Sequence, residues 1–358
     1  MGSTKSMSTS SDQGLHPMSV TVGMSRLLFV RLRSLGDTVL MTPALAVAKR
    51  CPGLQVGVVI EEPFHEVLVD NPHIDQLFVI RQSRNKLFAR LQALRAIRSF
   101  RPDGVIDLHG GSTSALLSRL SRAAMRIGYA QNRHTRFYTE EVPHSSRIWG
   151  KERVHTVEHQ LSPLKHLGFP VDPVPPLHAP LSSDDVVEVR GMLGKLGVTG
   201  EFILIHPGAA FATKQWEAQR FAELANQLAE QGYPVVFTIG PGETSVLEAV
   251  HKGCVSAVRF VDPQSIRKFS ALASLCRLYI GNDTGTTHIA AALGKKIVVI
   301  FGSSDSSVWH PWGVPYRMLR SDLPCIPCPG YYCLHYDEPR CIRSIEVSTV
   351  LEAVLTLL

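Results

Sequence analysis

The stretch Tyr279–Gly302 limits the fold most. Leu278 to Ile280 is a short apolar strand, Gly281 to Thr287 a polar turn, Thr287 to Leu293 a small-residue helix, and Ile297 to Phe301 a second apolar strand. Apolar runs this short, joined through one turn and one short helix, make a β-turn-α-β unit, and such strands are buried on both faces of a parallel sheet. The turn offers Asp283, hydroxyls and backbone N–H groups at a helix N-terminus, where the dipole and unpaired donors favour an anion. Asp and Thr are also ordinary helix caps, so an anion site and a plain capped helix both fit these residues.

The same punctuation runs through the chain. Strands are predicted at 26–32, 55–60, 75–80, 104–108 and 126–129. Helices are predicted over Thr38 to Arg50, Phe64 to Val69, Lys86 to Phe100 and Lys151 to Leu167. Pro43 falls early in its helix, where proline is tolerated. The helix at 86–100 is basic and amphipathic, with Leu87, Leu91, Leu94 and Ile97 on one face. Residues 170–180 then hold five prolines in eleven positions, a semi-rigid linker. Beyond it the pattern restarts, with a helix over Asp184 to Leu196 capped by Ser183 or Asp184. A strand at 202–206 ends in Pro207-Gly208-Ala209-Ala210, and a helix follows at 219–231. Next come a strand at 235–239 ending in Gly240-Pro241-Gly242-Glu243, helices at 244–252 and 265–273, the 278–302 unit and a terminal helix from Val347. Strand-helix alternation on this scale predicts an α/β fold of two doubly wound, Rossmann-like domains, at 24–169 and 181–358. Ligands of such sheets bind beyond the carboxyl ends of the strands, and both halves place Gly- or hydroxyl-rich turns there. Two domains facing each other would enclose a cleft suited to a two-substrate reaction.

Composition sets the class. At 44% hydrophobic and 19% charged the sequence is that of a soluble globular protein, and no apolar run reaches the roughly 18 residues of a membrane span. Residues 1–23 open Ser-rich and polar, with no apolar signal core, and read as a disordered leader. The expected location is the cytoplasm. Up to residue 170 there are 22 Lys and Arg against 13 Asp and Glu, and beyond it 15 against 18. A basic first half suits an anionic partner. No nucleic-acid-binding motif accompanies the charge, so nucleic acid is not expected.

Four segments together resemble the ADP-heptose lipopolysaccharide heptosyltransferases, glycosyltransferase family 9. They are Arg31-Leu-Arg-Ser-Leu-Gly-Asp37 with the following Thr-Val-Leu-Met-Thr-Pro-Ala, His206-Pro-Gly-Ala-Ala-Phe-Ala-Thr-Lys214-Gln-Trp216, Gly240-Pro-Gly-Glu243, and Asn282-Asp283-Thr-Gly-Thr-Thr-His288 through Gly294. They occur in the family's order and span both halves. The resemblance implies a GT-B fold, inversion at the sugar carbon and no required cofactor or metal, with an ADP-sugar as donor. Asp37 becomes the general base that takes the acceptor hydroxyl's proton; as a residue alone it would equally serve as a helix cap. On the donor side the resemblance places Gly208, Ala209, Thr213 and Lys214 near the diphosphate, Glu243 on the ribose and Gln264 at the adenine edge. It puts Asp283 on the sugar, Thr284, Gly285 and Thr286 on the phosphates, and His288 beside them. Family members often carry hydroxyl residues where Ala209 and Ala210 stand here, which shifts those contacts to backbone N–H groups or Thr213. The sequence has no Asp-x-Asp pair for a divalent metal, so Lys214 and the helix N-terminus would supply the positive field.

For the acceptor, Arg31, Arg33, Arg81, Arg84, Lys86, Arg133 and Arg136 lie at or near predicted loops and helix starts. They suit the phosphates and carboxylates of a lipopolysaccharide inner core, or form a solvated basic face. The partners expected are therefore a nucleotide sugar and an anionic lipid or oligosaccharide acceptor, for a monomer that touches at most the inner-membrane surface. Alternatives are a relative acting on a protein or natural product, a nucleotide-sugar epimerase of the same fold, or a nucleotide-sugar sensor. The run Cys325-x2-Cys328-x4-Cys333-x7-Cys341 fits no common zinc signature and leaves metal and disulfide both open.

Overall fold

The computed structural model describes residues 23–255, 258–328 and 330–358, so the expected leader lies outside them except for Gly23. Two six-stranded, all-parallel sheets carry the chain. The first holds β1 (Arg26–Val30), β2 (Gln55–Glu61), β3 (Gln76–Ile80), β4 (Gly104–Asp107), β5 (Met125–Tyr129) and β6 (Glu140–Val142), in the order β3-β2-β1-β4-β5-β6. The second holds β7 (Ile203–His206), β8 (Val235–Thr238), β9 (Arg259–Val261), β10 (Leu278–Asn282), β11 (Lys296–Ile300) and β12 (Tyr316–Leu319), in the order β12-β11-β10-β7-β8-β9. The two orders are the same winding used twice. In each, the strand order reverses between the first and fourth strands, and a crevice opens beyond their carboxyl ends.

Side-chain alternation divides each sheet between two cores. Leu27 and Phe29 of β1 join a cluster shared with the inner face of the second sheet, whereas Leu28 and Val30 face an outer cluster. In β10, Tyr279 points to the shared core, and Leu278 and Ile280 point outward. Helices Lys86–Phe100 and Ser112–Leu120 cover the outer face of the first sheet. Helices Ala218–Glu230, Thr244–Gly253 and Val347–Leu357 cover that of the second. The shared core lies between the two sheets and runs continuously from one half to the other.

Several expectations need correction. The first helix starts at Leu35, capped by position at Ser34, and breaks after Leu40; a second runs Thr42–Ala48. Pro43 has no N–H to give the Val39 carbonyl, and Thr42 Oγ1 donates to it instead at 2.7 Å. The helix expected from Lys151 begins at Thr156, where His155 and Glu158 form a capping box. The cap before residue 184 is Ser182. Leu94 and Ile97 are buried, but Leu87 and Leu91 are 68% and 45% exposed; Ala89, Ala93 and Phe100 fill the inner face in their place. Strands β6, β9 and β12 and the helix Ser145–Trp149 are unforeseen additions. Residues 167–182 carry no helix or strand, and Arg50 Nη1 donates to the Pro170 carbonyl at 2.6 Å.

Buried polar side chains fix the strand ends. Asp107 Oδ1 accepts from the N–H groups of His109 and Gly110, each at 2.9 Å, and Oδ2 accepts from the Tyr138 hydroxyl at 2.8 Å. In the second sheet Asn282, fully buried, accepts from Trp216 N at 3.1 Å and donates to the carbonyls of Pro207 and Gly208 at 2.9 and 3.2 Å. Its amide therefore ties the loop after β7 to the end of β10. Replacing Asn282 with Ala leaves a buried N–H and two carbonyls unpaired. We expect the variant to lose about 2–4 kcal/mol of stability in urea unfolding; a loss within a few tenths would show that the tie is dispensable.

Candidate active site

The loop after β1 and the turn after β10 come from different sheets and meet face to face. A Cβ on Gly36 would lie 2.9 Å from His288 Cδ2, and one on Gly285 would lie 2.6 Å from Leu35 Cβ. The missing side chains let the N-termini of helices Leu35–Leu40 and Gly285–Ala292 approach closely. Neither has a side-chain cap, so first-turn N–H groups of both remain available to a ligand. The halves are joined on either side of this point. Glu66 Oε2 accepts from Ile266 N at 2.8 Å, Arg153 pairs with Asp305 at 2.6 Å, and His155 Nε2 donates to the His310 carbonyl at 2.9 Å.

Asp37 lies in the first turn of its helix and not at the cap. Its carboxylate is oriented from two sides, by an ion pair with Arg31 and by the Ser34 hydroxyl at 2.9 Å. Gln160 Nε2 holds its carbonyl at 3.0 Å. Arg31 is buried and spans from Asp37 to the Leu108 carbonyl. It therefore differs from the exposed acceptor arginines with which the sequence groups it.

Across the contact, Asp283 is 5% exposed and accepts from Lys214 Nζ at 2.9 Å and from Ser304 Oγ at 2.5 Å. The hydroxyls of Thr284 and Thr286 lie 2.7 Å apart, and Tyr279 donates to Thr286 at 3.0 Å. Thr287 bonds back to the Asn282 carbonyl. His288 is buried with Nδ1 unpartnered. Burial holds its imidazole below the ordinary histidine range against the raising influence of Asp283 and Asp37, so it is neutral at pH 7. Gly208 lies under the Glu243 carboxyl, where any Cβ would overlap it. Glu243 Oε2 accepts from Gly240 N at 2.7 Å and lies 3.3 Å from His206 Nε2. Ala209 is half-buried beside this loop. Thr213 is turned inward, its hydroxyl bonded to the Gly330 carbonyl and to Ser303, so its hydroxyl proton is already taken within the protein.

Two cavities flank the meeting point. One, of about 260 Å³, lies between the halves, with Leu35 and Phe64 on one side and Gln264, Ile266 and Phe269 on the other. Its largely apolar walls and the backbone at Asp262–Ser265 suit a flat heterocycle. The other, of about 860 Å³, opens in the first half and is lined by Arg33, Arg81, Arg84, Lys86, Arg90 and His109 among others. Arg133 and Arg136 are exposed and do not line it; Arg136 stacks over Phe137 at 5.1 Å. The sequence alone assigns no role to Ser304, Gln160, Ser34 or His206. Ser34 and His206 stand inside two of the resembling segments, Ser304 lies in a Gly-Ser-Ser turn after an apolar strand, and Gln160 has no local signal. The four clustered cysteines carry free thiols, and among the described residues no His, Cys, Asp and Glu group has metal-binding geometry. Among those residues no helix is long and apolar enough to cross a membrane.

The two loops thus bring a carboxylate held by Arg31 and Ser34, a lysine–aspartate pair and two uncapped helix starts close to a basic cavity and an apolar one. Several bacterial proteins resemble the chain in sequence and fold. Lipopolysaccharide heptosyltransferase 3 of Escherichia coli is 28% identical over 292 residues, covering 78% of this chain and 83% of that protein. The crystal structure of a family 9 glycosyl transferase from Veillonella parvula superposes with a TM-score of 0.81 at 24% identity, covering 93% of this chain and 97% of that one. The E. coli ADP-heptose lipopolysaccharide heptosyltransferase II structure gives 0.77 at 18%, covering 93% and 98%. Both share the two-domain GT-B architecture. The sequence model of glycosyltransferase family 9 (heptosyltransferase) matches residues 90–336, and the chain belongs to that family of glycosyltransferases.

Proposed function

We propose that the chain transfers a heptose from ADP-L-glycero-β-D-manno-heptose to the inner core of lipopolysaccharide, with inversion and with Asp37 as general base. The observation that carries this is the contact of the two switch-point loops. The loop that bears Asp37 also bears Arg33 of the basic cavity, and across the contact His288 feels the charge of both Asp37 and Asp283, the partner of Lys214. The heptosyltransferase relatives support the sugar and the acceptor class.

In this reading the acceptor's anionic groups lie against Arg33, Arg84 and Lys86, with a hydroxyl near Asp37. As that oxygen bonds to the anomeric carbon, Asp37 takes its proton and the bond from that carbon to the diphosphate oxygen breaks. Arg31 and Ser34 hold the carboxylate in one orientation, so little reorganisation is needed when it accepts the proton. The departing ADP carries away the bond's electron pair. Lys214 and the N–H groups of Gly285 and Thr286 stabilise the added charge, as charge-assisted donors do. Neutral His288 can donate or accept one further hydrogen bond there. Glu243 is placed for the ribose hydroxyls, and the inter-half cavity for the adenine. Asp283 and Ser304 remain for the sugar.

Three outcomes are expected. Asp37→Ala lowers kcat by roughly 10²–10⁴-fold while ADP-heptose still raises the melting temperature as in the unmodified protein; near-normal turnover would remove Asp37 from the base role. In a thermal-shift screen ADP-heptose stabilises more than UDP- or GDP-sugars, and a UDP-sugar binding most tightly would move the function away from heptose transfer. EDTA leaves the rate unchanged; a strict divalent-metal requirement would overturn the metal-free mechanism. Product analysis without acceptor separates transfer from epimerisation.

A further inference from the structure

The first half leaves apolar side chains outside its core in a setting that contains almost no acid. Leu87, Phe88 and Leu91 are 68%, 59% and 45% exposed near the start of helix Lys86–Phe100, and Leu116 is 48% exposed on helix Ser112–Leu120. Residues 87, 88 and 91 lie on one helical face at the helix start; Ala89, Ala93, Ile97 and Phe100 bury the other side, and Leu94, next in the Leu87–Leu91 row, is buried as well. The two helices belong to the same outer layer, packed over one face of the first sheet, and Arg98 Nε joins them by donating to the Leu120 carbonyl at 2.9 Å. Between residues 76 and 139 the chain has twelve Lys and Arg and only Asp103 and Asp107 as acids. Asp107 is fully buried, and Asp103 is bonded to Ser25 and Arg26. The outer face of this layer therefore presents hydrophobic side chains in company with exposed Arg95 and Arg119, while Arg84, Lys86 and Arg90 stand at the basic cavity beside it; none of the five makes an ion pair among the described residues.

We propose that this face, centred on Leu87, Phe88 and Leu91, docks on the surface of an anionic phospholipid bilayer. Apolar side chains would enter the headgroup boundary while the surrounding cations meet lipid phosphates, the division of labour of interfacial helices. A second copy of the chain fits less well. Few apolar side chains are available against the roughly 1,200–2,000 Å² that a stable interface buries, and two faces of the same strong positive charge would repel. The position adds a functional consequence, which rests on the proposed function. The 860 Å³ basic cavity is lined by Lys86 and Arg90 from one of these helices and Ser112 and Thr113 from the other. A protein seated by this face would hold that cavity at the bilayer surface, where an acceptor anchored in lipid presents its sugars.

The test is sedimentation with vesicles of phosphatidylcholine alone and of phosphatidylcholine mixed with phosphatidylglycerol, using the full chain. The expected result is binding to the anionic vesicles only, weakened by salt. A variant carrying Leu87→Ser, Phe88→Ser and Leu91→Ser, all exposed positions, should lose on the order of tenfold or more in partitioning while keeping its melting temperature and its shift with ADP-heptose. Arg95→Gln with Arg119→Gln should weaken binding and flatten its salt dependence. Phe88→Trp should give a fluorescence blue shift on anionic vesicles. No binding to anionic vesicles, equal binding by the triple-serine variant, or a dimer in light scattering that the triple variant abolishes would each overturn the proposal. Vesicle binding without any ADP-heptose shift would leave this surface standing and remove the proposed donor instead.

Discussion

The structure depends on two backbones approaching where side chains would keep them apart. Gly36 and Gly285 each lack the Cβ that would strike the opposing half, His288 in one case and Leu35 in the other. Because of that contact, two helix N-termini from separate sheets share one solvent-poor region. Each N-terminus carries partial positive charge over its first turn, and bringing two together uncapped is unfavourable without an anion or an acidic side chain. Asp37 and Asp283 satisfy part of that requirement from within the chain, and Arg31, Lys214 and the two serine hydroxyls hold them. The result is a surface in which both carboxylates are held by a cation and a hydroxyl. The proposed transfer, with a diphosphate on one side and a proton taken up by Asp37 on the other, would draw on such fixed dipoles.

The same winding appears twice, and each copy solves the same loop problem with one buried side chain. Asp107 gathers the N–H groups of the turn beyond β4, and Asn282 gathers the carbonyls beyond β7. The chemical difference follows from what each turn exposes. In the first half N–H groups are consumed by Asp107, and the nearby cavity is positive through its side chains. In the second half Asn282 takes up carbonyls of the loop after β7, and the helix that follows its own strand has no side-chain cap. On the proposed reading, one half would meet anions chiefly through arginine and lysine side chains, the other through backbone and a single lysine. This matches the charge difference between the two halves of the sequence.

What the sequence revealed follows the range of the interactions. Glycine before an acid, a hydroxyl-rich turn after an apolar strand, and strand-helix alternation are local, so the two sheets and the loops bearing Asp37 and Asp283 could be read directly. Pairings between distant residues could not. Lys214 and Asp283 lie 69 positions apart, and Gln160 reaches Asp37 across 123. The inward turn of Thr213 depends on a carbonyl at Gly330 that no spacing rule connects to it. The three- and four-residue edge strands β6, β9 and β12 are too short for periodicity to mark. The helix at 86–100 misled for a different reason. Its leucines follow a helical repeat, but small residues at 89 and 93 bring its other side against the sheet, and Leu87 and Leu91 are left outside.

In the proposed function the Lys214–Asp283 pair would link the two tasks of the second half. Asp283 is nearly buried, so removing its lysine would leave a carboxylate supported mainly by Ser304, and an unpaired buried charge is costly. On the proposed reading, a diphosphate that draws Lys214 away must therefore bring sugar hydroxyls to Asp283 in the same step. An ADP molecule lacking its sugar attracts the lysine but offers the aspartate nothing in return. Recognition of the sugar is thereby coupled to recognition of the leaving group through one shared cation. Ala209 and Ala210, which bring no hydroxyls of their own to the adjoining loop, make the chain more dependent on that coupling.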